Sequence, residues 1–580
     1  MKKVLLLWAA LVCPAMVFAG ETDTLELPFF DDFSYLGSEP DGSLWKNSGC
    51  GISRYMAKNP PSTGVLVFDA LDSFKNFYPN AYYGNFSAGD TIESRPINLH
   101  YPLDKTVFLS FYIQAGGNGD YPEKQDSLCL DFYSPLTKEW TNIRQYSQVG
   151  KNSFKQEMIN ITEKEYLQKG FKFRFRNYFS LGSESQKDLV GDCDFWFVDY
   201  VKLDRNRMES DTVYSDVSLT GDPVIKFGDY TSVPWKHYQN DTKKMPLSYS
   251  VFYRNNDKKA RLLDSINLTM SGEEFALGSY NMPSYMDFEN HNKDFNYVFS
   301  SKSDTVMDCE ITVKLVSDVT KKDFTGNNEV SVKKTFLNYY AYDDGTAEAA
   351  YGLYGEGSQG GLAAVRFVTL IPDVLRGVYM YFCPVFRDAQ ANYFNIKVFN
   401  CKNGKPLVEI YSQNNVAVPK NETEKFVFFE FDNPVQIADT FFIGWEKLSK
   451  DIIAVGFDKN TESPNNKFFN LNGEWKTSKE KGQIMLRPAF GMLSTALTDI
   501  TPNNGSKIQI YPNPASDMLF IETENFKSQR INIYNLNGQK VKSALLQGGF
   551  DEINVSDLKN GMYIIDFEEI NIRKKLLITH

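Results

Sequence analysis

Four histidines, His100, His237, His291 and His580, are all that the 580 residues provide. No two stand at the helical or hairpin spacing that brings both rings to one metal ion or one nucleophile, so zinc hydrolysis and Ser-His catalysis are disfavoured. No Gly-x-Ser-x-Gly elbow, phosphate loop, His-Glu-x-x-His helix or paired Cys-x-x-Cys occurs. The run Gly355-Glu356-Gly357-Ser358-Gln359-Gly360-Gly361 lacks the lysine and following helix of a phosphate cradle and reads as a loop. Cys50 or Cys129 with His100 is a thiol-imidazole combination, but neither thiol carries a local signature of activation. A glycosidase needs two carboxylates about 5 to 10 Å apart, a tertiary property, and with 73 acidic residues that class stays open. No catalytic residue is assigned, and the chain reads as a non-enzyme.

One carboxylate is unusual in its setting. In Asp194-Phe195-Trp196-Phe197-Val198-Asp199-Tyr200-Val201-Lys202-Leu203, simple alternation places Asp199 on the face of Phe197, Val201 and Leu203. A buried charge needs a partner there.

The elements that must position such groups are strands. The composition is 42% hydrophobic and 23% charged, as in globular proteins, and aromatics reach 15%, with 45 Phe and 33 Tyr, which suits pleated sheets. The length calls for roughly three to five domains. Exposed Trp and Tyr rings also serve glycan binding, and Trp45, Tyr82, Tyr83, Trp140, Trp235 and Trp475 are candidates. In sheets most rings pack the core, so none of the six is assigned as a site.

Residues 1–19 read as a secretory signal, with Lys2-Lys3, an apolar run Val4 to Val12 and a Val17-Phe18-Ala19 ending. The run is too short for a membrane span and is broken by Pro14, and no transmembrane anchor is expected elsewhere. Without Lys2 and Lys3 the 62 basic residues become 60 against 73 acidic ones, a formal charge of −13 that opposes nucleic-acid and anionic-lipid partners. Cys50, Cys129, Cys193, Cys309, Cys383 and Cys401 remain. Cys383 and Cys401 lie on neighbouring apolar segments where pairing is conceivable, but six cysteines are too sparse for a disulfide scaffold, and isolated buried thiols are expected.

An all-β architecture of tandem β-sandwiches is expected: a jelly-roll at 25–205, an Ig-like spacer at 211–338, a jelly-roll-like sandwich at 339–492, a linker at 493–507 and a small Ig-like domain at 508–580. In the first block, rings and cations alternate in Phe171-Lys172-Phe173-Arg174-Phe175-Arg176, as a half-solvated strand requires. Val107 to Ile113 and Leu128 to Phe132 alternate likewise. Thr162-Glu163-Lys164-Glu165 is a capping box, with Ile161 and Tyr166 flanking it, and predicts a short connector helix ended by Gly170.

This block opens Phe29-Phe30-Asp31-Asp32-Phe33 and closes on the strand of Asp199. It resembles lectin-like jelly rolls of the MAM and cleaved-adhesin type and some carbohydrate-binding modules. The resemblance implies a structural calcium between first and last strands, with Asp31 or Asp32 beside Asp199 supplying oxygen ligands. The alternative is a carboxylate hydrogen-bonded to backbone amides or placed at a solvated strand end.

In the second block Leu247 to Tyr253 and Ile311 to Val316 read as strands, and Asp323-Phe324-Thr325-Gly326-Asn327-Asn328-Glu329-Val330 resembles the close of Ig-like bacterial adhesion modules. The third opens Tyr339-Tyr340-Ala341-Tyr342-Asp343-Asp344-Gly345-Thr346-Ala347-Glu348, similar to exported proteins of Bacteroidetes-type bacteria. Its strand candidates are 378–382, 394–399, 426–431 and 441–445.

The last block carries Tyr511-Pro512-Asn513-Pro514, Ile531 to Val541 around Asn537-Gly538, Leu558 to Ile565 around Asn560-Gly561, and Arg573-Lys574-Lys575-Leu576-Leu577-Ile578. Asn-Gly beside alternating apolar residues marks hairpin turns. In motif order and position it resembles the type A sorting domain of type IX secretion substrates. The resemblance implies recognition of residues 508–580 by the outer-membrane translocon, removal by a sortase-like peptidase and attachment of the cargo to an anionic lipopolysaccharide. The expected product is a secreted or cell-surface adhesin-like protein that binds a glycan or matrix protein. A surface hydrolase of glycans or peptides is the alternative, and a surface-layer structural component without a discrete ligand a third.

Overall fold

The computed structural model describes residues 24–491 and 508–578, apart from short internal stretches of which 182–193 is the longest. Segment 1–19, the 493–507 linker, Cys193, Tyr82, Tyr83 and the Asn537-Gly538 turn lie outside the described residues. The chain is all-β, organised as separate antiparallel sheets.

In the first block one sheet runs Lys155–Asn160, Phe108–Ala115, Trp196–Asp204, Val65–Phe68, Gly51–Ser53, with Phe29–Asp31 also on Trp196–Asp204. The facing sheet runs Trp45–Ser48, Ser87–Ser94, Lys169–Phe179, Ser127–Ser134, Glu139–Tyr146, with Ile97–Asn98 joined to Lys169–Phe179. Strand Lys169–Phe179 keeps the alternation of its sequence: Phe171, Phe173, Phe175 and Phe179 are buried, while Lys172, Arg174, Arg176 and Tyr178 lie half-buried on the opposite face. Each buried ring contributes roughly 2–3 kcal/mol of apolar transfer. Phe29, Trp45 and Phe173 meet edge-to-face at 5.1 to 5.5 Å, closing the core between the sheets.

The last strand departs from simple alternation. Its register against Phe108–Ala115 shifts between Asp199 and Lys202, and Tyr200 sits at φ 49°. This bulge changes the phase of the strand, so Trp196, Val198, Val201 and Leu203 face the core whereas Phe197 packs with Met56 and Val67 on the outer side. Asp199 therefore shares a face with Phe197 and not with Val201 and Leu203.

The expected helix at Thr162–Glu165 is a single turn instead. Tyr166 and Leu167 N–H groups reach the Glu163 carbonyl at 3.0 and 3.2 Å, and a strand resumes at Lys169. So few residues between two strands cannot repay helix nucleation, and Tyr166 and Leu167 gain more by entering the core. Gly170, at φ 93°, lies within the following strand rather than ending a helix. The α-helix of the chain among the described residues is Trp235–Asn240.

The second block pairs a sheet of Val217–Leu219, Leu247–Asn255, Val224–Phe227 and Phe288–Phe295 with one of Glu273–Ala276, Arg261–Met270, Met307–Ser317 and Glu329–Phe336, joined by Tyr280–Met282. The third holds a six-stranded sheet from Lys405–Ala417 to Trp475–Thr477 and two three-stranded sheets. These two blocks share one hydrophobic core from Val217 to Phe490. Tyr230 stacks on Tyr342 at 4.6 Å and meets Tyr340 at a tilt at 4.9 Å across their junction.

Polar contacts tie the first block to both of the others. Phe324 stacks on Phe30 at 3.9 Å, and Asn327 Nδ2 donates towards Asp32 Oδ2, Tyr200 Oη and Asp216 Oδ2, each at 3.0 Å. Lys459 Nζ donates to the Asn118 carbonyl at 2.6 Å, and Asn118 Nδ2 to Asn460 Oδ1 at 3.0 Å. The C-terminal unit packs a three-stranded sheet beginning at Ile508–Tyr511 against a four-stranded one ending at Ile572–Ile578, around Leu519, Ile521, Ile533, Ile565 and Leu576.

Candidate functional site

The alternation of Phe171 to Arg176 sends Lys172, Arg174 and Arg176 to the outer face of the first block's second sheet. Register then brings residues from five strands into one transverse row: Lys46, Glu93, Arg174, Asp131 and Asn142. Opposite charges alternate along it. Asp131 Oδ2 accepts from Arg174 Nε at 2.8 Å and Arg176 Nε at 2.6 Å, and its Oδ1 from Asn142 Nδ2 at 2.9 Å. Burial raises the Asp131 pKa, but the bonds from Arg176, Asn142 and Arg174 more than offset it and hold the carboxyl below its usual range.

The next row holds the rings. Tyr133 lies opposite Trp140 across the strand pair, with ring centroids 5.4 Å apart. Lys172 Nζ sits 4.5 Å from the Tyr133 centroid and 5.1 Å from that of Trp140, and the Arg174 guanidinium 4.3 Å from Trp140. Lys172 is also held by Glu93 at 2.5 Å. Further along, Arg176 covers Tyr178 at 4.9 Å, and Tyr178 stacks on the exposed Phe86 at 4.6 Å. Ion pairs thus fix the planes of the guanidiniums over half-buried rings, giving a sheet face of flat apolar surfaces bordered by donors. Beside it, between edge strands Glu139–Tyr146 and Lys155–Asn160, opens a cavity of about 410 Å³ bounded by Phe132, Ile143, Arg144, Met158, Tyr166 and Glu209. Half of this site was visible in the alternation of residues 171–176. Its pairing with Trp140 was not, because register alone joins them.

Of the other aromatic candidates, Trp45 and Trp235 are buried in cores, and Trp475 is half-buried 5.3 Å from Phe399. The described cysteines, Cys50, Cys129, Cys309, Cys383 and Cys401, carry free thiols. Burial pushes the thiols of Cys50, Cys129, Cys309 and Cys383 up, away from the thiolate.

Asp31, Asp32 and Asp199 do not converge as one ligand set. Adjacent residues of an extended segment point to opposite sides. Asp31 turns inward, where its Oδ2 accepts from Trp45 Nε1 at 2.7 Å and its Oδ1 from Phe33 N–H at 2.9 Å. Asp32 turns outward to Asn327. Asp199 accepts from Tyr200 N–H at 2.6 Å and from Ser62 N–H and Oγ, each at 3.2 Å, so its burial is met by protein donors. Burial, with the nearby Asp32, pushes the Asp199 carboxyl well up. Among the described residues, the three carboxylates at metal-ligand spacing are instead Glu123, Asp126 and Asp194, whose ligand atoms lie within 4.8 Å of one another.

The C-terminal unit carries the remaining functional signal: two small sheets over a single core. Residues 509–579 match the family model of the secretion system C-terminal sorting domain. The chain is thereby marked as a type IX secretion substrate, destined for the cell surface or the extracellular space. No curated protein matches it. Among solved structures it is similar to the CBM22-2 xylan-binding domain of Paenibacillus barcinonensis Xyn10C, at 12% identity and TM-score 0.19, covering 31% of this chain and 99% of that one. It is similar to a non-crystalline-cellulose-specific module, CBM28, at 14% identity and TM-score 0.18, covering 30% and 94%. A GH2 beta-galacturonidase from Eisenbergiella tayi is similar at 8% identity and TM-score 0.23, covering 52% of this chain and 45% of that one. Among the described residues no helix is long and apolar enough to cross a membrane.

Proposed function

We propose that this secreted substrate is a non-enzymatic glycan-binding protein of the cell surface, and that the outer face of its first sandwich receives the glycan. The observation that carries this reading is the Trp140-Tyr133 pair beneath Lys172 and Arg174. Sugar rings present flat C–H faces edged by hydroxyls. Half-buried aromatic planes bordered by fixed cations and by Asn142 match both parts. The cations Lys46, Lys172, Arg174 and Arg176 stand together on a chain of net charge −11, which favours a glycan bearing carboxylate or sulfate groups.

The test is a glycan array and calorimetric titration with the whole secreted protein, covering neutral and acidic polysaccharides, beside a turnover assay on the same panel. Saturable binding that falls at least tenfold in Trp140→Ala, without turnover, supports the reading. Binding that survives in both Trp140→Ala and Arg174→Ala removes this face as the site, and reproducible turnover shows the protein to be a hydrolase.

A further inference from the structure

The loop that follows strand Phe108–Ala115 runs back towards the start of strand Trp196–Asp204, and Asp120 bridges to Asp194. This places Glu123 and Asp126 against a carboxylate about 70 positions away in the chain. Asp126 and Asp194 are each 1% exposed or less, and Glu123 is half-buried, leaving one side of the group accessible.

Protein donors satisfy only part of the group. Asp126 Oδ2 accepts from Ser180 Oγ and from Glu123 N–H, both at 2.9 Å, and Asp194 Oδ2 from Ser180 N–H at 3.1 Å. Asp126 Oδ1 and Glu123 Oε2 are buried and receive no hydrogen bond from the described residues. An unpaired buried carboxylate oxygen costs free energy, and three carboxylates facing each other cost more. Burial and the neighbouring carboxylates push Asp194 well up, and burial with Asp126 raises Glu123.

A second acidic group, in the third block, is met by a fuller set of protein donors. Asp458 accepts from Asn460 and Thr461 N–H on one oxygen and from Asp344 N–H on the other, at 2.7 to 2.9 Å. Glu348 accepts from Thr346 Oγ1 and Lys459 N–H. At Glu123, Asp126 and Asp194 the described residues leave Asp126 Oδ1 and Glu123 Oε2 without a donor, and the bonds from Ser180 orient the carboxylates, as partners behind metal ligands do.

We infer that Glu123, Asp126 and Asp194 form a calcium-class divalent cation site, separate from Asp31 and Asp32 at the first strand and Asp199 on the last. Three carboxylates supply between three and six oxygens of the six to eight that calcium takes, with water completing the shell on the Glu123 side. The cation neutralises most of the group's charge and pins residues 120–126 to the last strand. The same loop carries Asn118, which contacts Lys459 and Asn460, so the site braces the junction of the first and third sandwiches.

The experiment is calorimetric titration of the metal-stripped whole protein with calcium chloride, with near-ultraviolet circular dichroism to confirm folding. One saturating site is expected, at or tighter than the roughly 10⁻⁴ to 10⁻³ M range of extracellular modules. Asp126→Asn and Glu123→Gln each weaken it at least tenfold, while Asp199→Asn leaves it unchanged. Should Asp126→Asn fail to fold, the half-exposed Glu123→Gln decides. The site is overturned if the unaltered protein takes up no calcium at about 10 mM, above the range of such modules, or if the folded variants titrate like the unaltered protein.

Discussion

His237 Nε2 lies 3.0 Å from Asp373 Oδ2, while Nδ1 of the same ring lies 2.8 Å from Tyr340 Oη. The imidazole sits on the helix of the second sandwich, and both partners belong to the third. It is fully buried and packs against Phe490, and burial lowers its pKa, so it stands in the core as a neutral bridge. His237→Ala removes both bonds and leaves a cavity, and is expected to destabilise the protein by about 2–4 kcal/mol in urea unfolding. An unchanged midpoint would show the junction to be held by apolar packing alone.

Asp131 holds two guanidiniums and the Asn142 amide on the candidate glycan face. Asp131→Asn is expected to cost about 1–3 kcal/mol at neutral pH and to loosen the cover over Trp140. Because the folded-state pKa is depressed, this stability is present above the unfolded carboxylate value and is lost as pH falls through the folded value, below about pH 4. Acid unfolding curves of the two proteins should therefore converge at low pH and separate above it.

Asp344 behaves in the opposite sense. Burial, then the charge of Asp458, pushes its carboxyl up to about 7, and burial with Asp344 and Asp458 pushes Glu348 well up. Lys334 and the Arg487-Asp343 pair also act on it. Between about pH 4 and 7 the folded chain keeps a proton that the unfolded chain has released, so stability falls as pH rises through that window. The melting temperature should drop from pH 5 to pH 7.5, and Asp344→Asn should flatten the slope. An unaltered slope in the variant would remove Asp344 as its origin.

Burial of Cys50, Cys129, Cys309 and Cys383 predicts that a thiol reagent labels these four only after denaturation, and that a reductant leaves the melting temperature unchanged. Rapid labelling of the folded protein at any of the four would contradict their placement.

Deletion of Ile508 to His580 is expected to abolish delivery to the cell surface while leaving the three sandwiches folded, since this unit has its own core. Cell fractionation with surface protease shaving reads the outcome. Undiminished surface display would refute the role of the sorting domain.

What the chain's own order of residues determined is what depends on local periodicity and local turns. The alternation of Phe171 to Arg176 specifies a strand with a ringed inner face and a cationic outer one, because side chains of a pleated strand alternate whatever lies beside it. The motifs of residues 509–579 identify the sorting domain for the same reason, being contiguous. Tertiary structure decided everything that rests on register or on distant approach. A single bulge at Tyr200 took Val201 and Leu203 off the face that Asp199 shares with Phe197, and only the pairing of three strands brought Trp140 under Arg174. Asp31 and Asp32, neighbours in sequence, serve a core indole and an interdomain amide, whereas Glu123, Asp126 and Asp194 meet only where a loop folds back on the last strand. A carboxylate's environment is set by which donors surround it in space, and neither composition nor spacing along the chain contains that information.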